Sequence, residues 1–153
     1  MEAINIAREA LVKPFEGYHK RLPDGGCKAY PDPGTGGHPW TIGYGSTGPE
    51  INPETVWTHK QAEDALDEHL EYFNKGLLKL SPKIIQHPKR HAAVLSFCYN
   101  CGLRNYQIST LRKMVNEERW DEAATEILKW NKAAGRVLRG LTIRRQAESM
   151  LLK

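Results

Sequence analysis

At 153 residues the chain is long enough for one domain with a substantial core and too short for two large independent ones. Its 40% hydrophobic and 26% charged residues are a globular composition, and no apolar run approaches the roughly 20 residues of a membrane-spanning helix, so a soluble single domain over residues 1–153 is expected. A net charge of +4 points to an anionic polymer as partner, whether nucleic acid, membrane headgroups or cell-wall material.

The basic charge is concentrated at one end: residues 129–153 hold Lys129, Lys132, Arg136, Arg139, Arg144, Arg145 and Lys153 against Glu148 alone. No zinc-finger Cys/His pairs and no aromatic platform accompany it, so no nucleic-acid partner is expected. Cys27, Cys98 and Cys101 are an odd set without framework spacing, which suits a reducing compartment. The N-terminus, with Glu2, Arg8, Glu9 and Lys13, lacks the continuous apolar stretch of a secretory signal. Synthesis is therefore expected to leave the chain in the cytoplasm.

In chain order, Ile4, Ala7 and Leu11 are at helical spacing, and Pro14 with Gly17 predicts the stop of a first helix over 1–14. Residues 15–57 are dense in Gly and Pro, with strand-like pieces at 28–30 and 40–44, and read as a small antiparallel sheet with long loops. Residues 58–153 change character. Thr58 followed by Gln61 makes a capping box, and Ala62, Leu66, Leu70, Phe73 and Leu77 form an apolar stripe of helical period. After the breaks at Ser81-Pro82 and His87-Pro88, Ala92, Val94, Leu95 and Cys98 predict a buried helix ending near Gly102. Ser109 or Thr110 can cap the next helix and Asp121 another, and Gly135 and Gly140 bracket a turn before the last. The layout is α+β: one helix, a small β-lobe, then a larger helical lobe, with the site expected in a cleft between the lobes.

Glu16 and Asp32 are the candidate chemical groups. Glu16 follows Phe15 at a helix end, where partial burial favours the protonated form and a general-acid role. Asp32, between Pro31 and Pro33, is in a wetter loop that keeps a carboxylate ionised. Two carboxyls in unlike settings suit glycosidic cleavage. On composition alone the plainer reading is favoured, in which Glu16 serves a helix terminus and Asp32 a turn.

"FEG" at 15–17, "AYPD" at 29–32 and "WTIGYGSTG" at 40–48 resemble the N-terminal lobe of phage lysozymes, the endolysin muramidases. "YNCG" at 99–102, "STLRKMVN" at 109–116, "RWDEAATEILKWNKAAG" at 119–135 and "LRGLTIRRQAE" at 138–148 are similar to the same family, nearest its lambdoid-type branch. The resemblance runs along nearly the whole chain and implies a lysozyme-like fold. It also implies hydrolysis of the β-1,4 bond between N-acetylmuramic acid and N-acetylglucosamine in peptidoglycan.

By motif, the family's Glu, Asp and Thr fall on Glu16, Asp32 and Thr41. The resemblance makes Glu16 the proton donor to the leaving oxygen, Asp32 the stabiliser of charge at the sugar ring, and Thr41 a holder of the attacking water, with inversion at the anomeric centre. Trp40, Tyr99 and Asn100 become candidate sugar contacts, and Arg144 or Arg145 a partner of Glu16. Both catalytic loops are longer than the family's, through "HKRLPDGGC" and "GTGGHP", so Asp24 in "LPDGG" rivals Asp32, and Thr35 rivals Thr41. Ser46 stands after "GYG" where the family usually has His.

No cofactor and no metal are expected, because none of the six histidines has trustworthy ligand spacing and Cys98 and Cys101 read as buried small residues. Trp57, Trp120 and Trp130 read as packing residues. The resemblance further implies a monomeric endolysin held in the host bacterial cytoplasm until a separate holin admits it to the periplasm and cell wall. Two other functions are open: a cationic protein contacting and permeabilising anionic membranes through its basic C-terminal stretch, and a virion-associated lysozyme module.

Overall fold

The structure, a computed structural model, describes residues 1–32 and 35–153; Pro33 and Gly34, which belong to the loop reading of Asp32, lie outside the described residues. The chain forms two compact units, residues 16–69 and residues 1–15 together with 70–153.

The first helical stretch continues past its expected stop. It comprises α1 (Glu2–Ile6), a π-helical segment (Ala7–Val12) and α2 (Lys13–Glu16). The wide turn, in which the Lys13 N–H reaches back to the Arg8 carbonyl, explains how Pro14 is accommodated. An α turn there would set the proline ring against the carbonyl four residues earlier, whereas a π turn spaces that ladder out. The helix ends one residue after Phe15, where Gly17 takes φ +75°.

In the unit of residues 16–69, β1 (Cys27–Lys28) pairs antiparallel with β2 (Val56–Trp57), Cys27 opposite Trp57. The other pairings are single bridges, Arg21 with Cys27, Tyr30 with Thr41 and Ile42 with Ser46. The sheet is thus smaller than the sequence suggests, because the Gly- and Pro-rich loops interrupt every ladder within a few residues. Its core is Cys27, Ala29, Ile42, Tyr44 and Ile51 with Ala62 and Leu66 from the start of α3 (His59–Leu80). The capping box at that start is formed: the Gln61 N–H donates to Thr58 Oγ1 at 3.1 Å, and the Thr58 N–H to Gln61 Oε1 at 2.8 Å.

The helical unit is built around α4 (Pro88–Cys101), buried continuously from His91 to Cys98 and packed against α1, the π segment and α8 (Arg139–Leu152). Proline at its first turn and Gly102 beyond its last, at φ +93°, delimit it as expected. A 3-10 turn (Pro82–Gln86), α5 (Leu103–Gln107), α6 (Thr110–Asn116) and α7 (Trp120–Ile127) complete the shell. Ser109 caps α6 by accepting the Arg112 N–H at 3.0 Å. Asp121 lies inside the first turn of α7, favourable for the helix dipole, while Arg119 holds the cap position. A hairpin of β3 (Lys132–Ala133) and β4 (Arg136–Val137) turns through Ala134 and Gly135, both at positive φ, as a two-residue loop requires. Gly140, expected in that turn, instead begins α8. Among the described residues no helix is long and apolar enough to cross a membrane.

Candidate active site

Three local features of residues 16–69 bring the candidate groups together. Glu16 ends α2, and the left-handed Gly17 turns the chain away from it. Tyr30 and Thr41 are directly opposed, exchanging N–H···O bonds of 2.8 and 2.9 Å, so their side chains share a face; Asp32, two residues beyond Tyr30, lies on that face too. The turn Gly43-Tyr44-Gly45, closed by paired bonds of 2.9 Å between Ile42 and Ser46, then sets Gly45 against the Glu16 carboxyl.

These residues line a cavity of about 560 Å³ with Glu16, Asp32 and Thr41 in its wall, completed by Tyr30, Gly45 and Thr47, and by His19 and Lys20 from the lengthened loop. Thr41 is buried, and its hydroxyl donates to the Pro39 carbonyl at 3.2 Å, which turns the oxygen lone pairs outward as acceptors. Asp32 is half-buried, and its Oδ2 accepts the Thr35 N–H at 3.1 Å while its carbonyl accepts the Gly36 N–H at 2.8 Å. The turn role and the cavity role therefore coexist in one residue. Burial pushes the Tyr30 phenol up, and the neighbouring charges of Glu16 and Asp32 push it further, so it remains a neutral hydroxyl across the physiological range. Its ring meets His19 edge-on at 5.1 Å.

The rival residues are differently employed. Asp24 is exposed and accepts the Gly26 N–H at 2.9 Å in a tight turn, outside the cavity wall. Thr35 is exposed and donates to the His38 carbonyl at 2.5 Å. Trp40 is half-buried beside Thr41 and is not part of the cavity lining.

The remaining candidates belong to the helical unit. Tyr99 and Asn100 end α4 half-buried, with the Tyr99 ring 5.6 Å from that of Phe73. Arg144 and Arg145 are buried around Glu148, itself fully buried, an acid to which sequence reasoning gave no role. Arg145 Nε lies 2.6 Å from Glu148 Oε1, its NH2 group donates to Oε2 at 3.1 Å, and Arg144 Nε is 3.4 Å from Oε2. Ser96 donates a further bond of 2.6 Å to Oε2. Burial drives the Glu148 carboxyl up while both guanidiniums and Ser96 pull it down.

Tyr30, His19, Lys20, Gly45 and Thr47 were not singled out from sequence. Tyr30 was within reach, since it stands in the quoted "AYPD" two residues from Asp32 on the same strand face. His19 and Lys20 belong to a loop whose path no periodicity encodes. Among the described residues no group of three His, Cys, Asp or Glu is placed to hold a metal ion.

Comparison with known proteins identifies the family of the chain. The phage lysozyme family model matches residues 15–148. An endolysin of Bacillus phage PZA is 39% identical over 141 residues, covering 92% of this chain and 51% of that protein. A SAR-endolysin of bacteriophage PS119 is 30% identical over 114 residues, covering 71% of this chain and 64% of its own. The chain thus spans about half the length of the Bacillus phage relative. Among solved structures, the muramidase domain of SpmX from Asticaccaulis excentricus superposes with a TM-score of 0.74 at 26% identity, covering 98% of this chain and 93% of that one. An endolysin from Escherichia coli O157:H7 phage FAHEc1 gives 0.75 at 25% identity, covering 99% and 90%.

Proposed function

Because the chain belongs to the phage lysozyme family, we propose that it is an endolysin that hydrolyses the β-1,4 bond between N-acetylmuramic acid and N-acetylglucosamine in bacterial peptidoglycan. The observation that carries this reading is the convergence of Glu16, Asp32 and Thr41 on one cavity, with two loops longer than the family's between them. Glu16 protonates the departing glycosidic oxygen. Asp32 stabilises the positive charge that develops at the ring, and water attacks from the opposite face with inversion, which requires carboxyls roughly 6.5–9.5 Å apart. Thr41, whose proton is committed to Pro39, accepts a hydrogen bond from that water and orients it. Tyr30 contributes a neutral donor for a sugar hydroxyl or acetamido oxygen.

On this reading the protein acts as a monomer on glycan strands, needs no cofactor, and reaches the wall from the host cytoplasm through a separate holin. The membrane-active alternative has less support. Its basic stretch is divided between a hairpin and α8, and Arg144 and Arg145 are buried on Glu148 instead of being presented to a surface.

The test is release of reducing sugar from purified peptidoglycan by wild type, Glu16→Gln, Asp32→Asn and Asp24→Asn, each first shown to be folded. Loss in Glu16→Gln and Asp32→Asn with Asp24→Asn active is the expected result. Loss with Asp24→Asn alone moves the second carboxylate into the preceding turn, and an inactive wild type overturns the reading.

A further inference from the structure

Lys20 occupies an unusual position. It lines the cavity, it is exposed, and among the described residues its ammonium has neither an ion pair nor a hydrogen bond. Its backbone is held at φ +53°, the left-handed region that favours glycine. The surrounding turn is tied down on both sides. The His19 ring nitrogen Nε2 is 3.1 Å from the Glu16 carbonyl, the Lys28 N–H donates to the Lys20 carbonyl at 3.1 Å, and the Tyr18 hydroxyl donates to the Gly25 carbonyl at 2.8 Å. Gly17 makes the fold-back possible, since a Cβ there would meet His19 Nε2 at 2.9 Å. Glycine at position 20 would meet every one of these backbone requirements without strain. The lysine at this position instead contributes a cation to the wall of the cavity that Glu16 and Asp32 also line, on a turn whose backbone is hydrogen-bonded on both sides.

We propose that Lys20 forms a carboxylate-binding subsite that selects glycan strands carrying acidic substituents, either the lactyl carboxyl of the muramic residue or a carboxylate of an attached peptide. The inference rests on the muramidase reading for the identity of the glycan. Held strain at a binding wall is a recurrent feature of functional positions, and here it comes with an unpaired charge and a fixed turn. An ammonium is a point charge that accepts a carboxylate from several directions, which suits a substituent on a flexible ether or peptide arm. Tyr30 recognises a neutral sugar group, whereas Lys20 recognises the charge that distinguishes a muramoyl chain from a neutral β-1,4 glycan.

The experiment measures binding of soluble glycan strands to the Glu16→Gln protein and to the same protein carrying Lys20→Gly or Lys20→Arg. The strands are used in four forms: with stem peptides, stripped of peptide to expose the lactyl carboxyls, and each of these with its carboxyls amidated by carbodiimide. The expected result is that Lys20→Gly weakens binding of carboxylated strands about fivefold, the upper range for an exposed ion pair, and brings it level with binding of amidated strands. Lys20→Arg restores the preference, and Lys20→Gly melts no lower than its parent because glycine relieves the left-handed strain. Whichever carboxylated form shows the larger difference identifies the source of the charge. An unchanged ratio of native to amidated binding in Lys20→Gly, or an equal loss on both, overturns the proposal. Failure of the muramidase reading is seen separately, as absence of hydrolysis by the wild-type protein, while the binding ratio still reads Lys20.

Discussion

Gly45 stands so close to Glu16 that a methyl group on its Cα would lie 2.9 Å from the carboxyl oxygen Oε2. The glycine is also at φ +85°, so both its backbone and its missing side chain are required. On the proposed muramidase reading, with Glu16 as the acid, Gly45→Ala is expected to displace the Glu16 carboxyl and lower the rate of peptidoglycan hydrolysis at least tenfold, as small misplacements of a reacting group do. It is also expected to cost about 1–2 kcal/mol of stability from the left-handed backbone alone. Gly135→Ala is the control, because Gly135 is at φ +77° with no atom beyond its chain neighbours within 4 Å of where a Cβ would lie, and it should show the stability loss without the loss of rate. Equal rates for the two variants would remove the Gly45 contact from the catalytic geometry.

Ser46 has a hydroxyl buried in the interior with no hydrogen-bond partner among the described residues, while its backbone pairs with Ile42. A buried donor left unmatched costs its desolvation without return. Ser46→Ala keeps the backbone pair and removes the orphan, so it should raise stability by about 1 kcal/mol, read from urea or thermal unfolding. A decrease would mean that the hydroxyl has a partner in solution, such as an ordered water.

His91 is buried against Asn74, its Nε2 2.5 Å from Asn74 Oδ1, and burial lowers its pKa to about 4. The unfolded chain takes up this proton near the ordinary value of about 6.5, the folded one only near 4. Between those values the unfolded state holds more protons, so stability rises with pH. The contribution is complete above about pH 6.5 and is lost as pH falls to about 4, a span on the order of 3 kcal/mol. His91→Gln should flatten the unfolding free energy across this window, and an unchanged slope would assign the pH dependence to other groups.

Local rules made much of this legible. The capping box of Thr58 and Gln61, the proline and glycine limits of α4 and the cap at Ser109 are written in residues a few positions apart, and each forms as its chemistry requires. The first helix outran its expected end because a π turn before Pro14 is a collective adjustment with no sequence signature of its own. Motif order picked out Glu16, Asp32 and Thr41, which line one cavity, and strand periodicity could have added Tyr30 to that lining. His19, Lys20 and Glu148 were hidden for another reason. Loop paths and buried ion pairs are decided by tertiary neighbours, and Glu148 looks in sequence like one acid in a basic, solvent-facing stretch.

That buried acid carries the strongest stability prediction. Glu148, Arg144 and Arg145 are all nearly inaccessible, so removing the carboxylate takes its negative charge away from two buried guanidiniums. Breaking one side of such a cluster costs far more than the intact cluster contributes, and Glu148→Gln is expected to destabilise by about 3–5 kcal/mol. Gln keeps an acceptor for Ser96 and for one Arg145 N–H but turns its NH2 toward Arg145 Nε, so the loss combines the missing charge with a donor facing a donor and leaves the Ser96 bond in place. Thermal unfolding of Glu148→Gln beside Ser96→Ala separates this loss from that of the Ser96 bonds. Ser96→Ala deletes two hydrogen bonds, its donation to Glu148 Oε2 and its acceptance of an Arg144 N–H at 3.3 Å, and should cost about 1–2 kcal/mol, whereas similar losses in both variants would show that the cluster acts through hydrogen bonding and not through its charge.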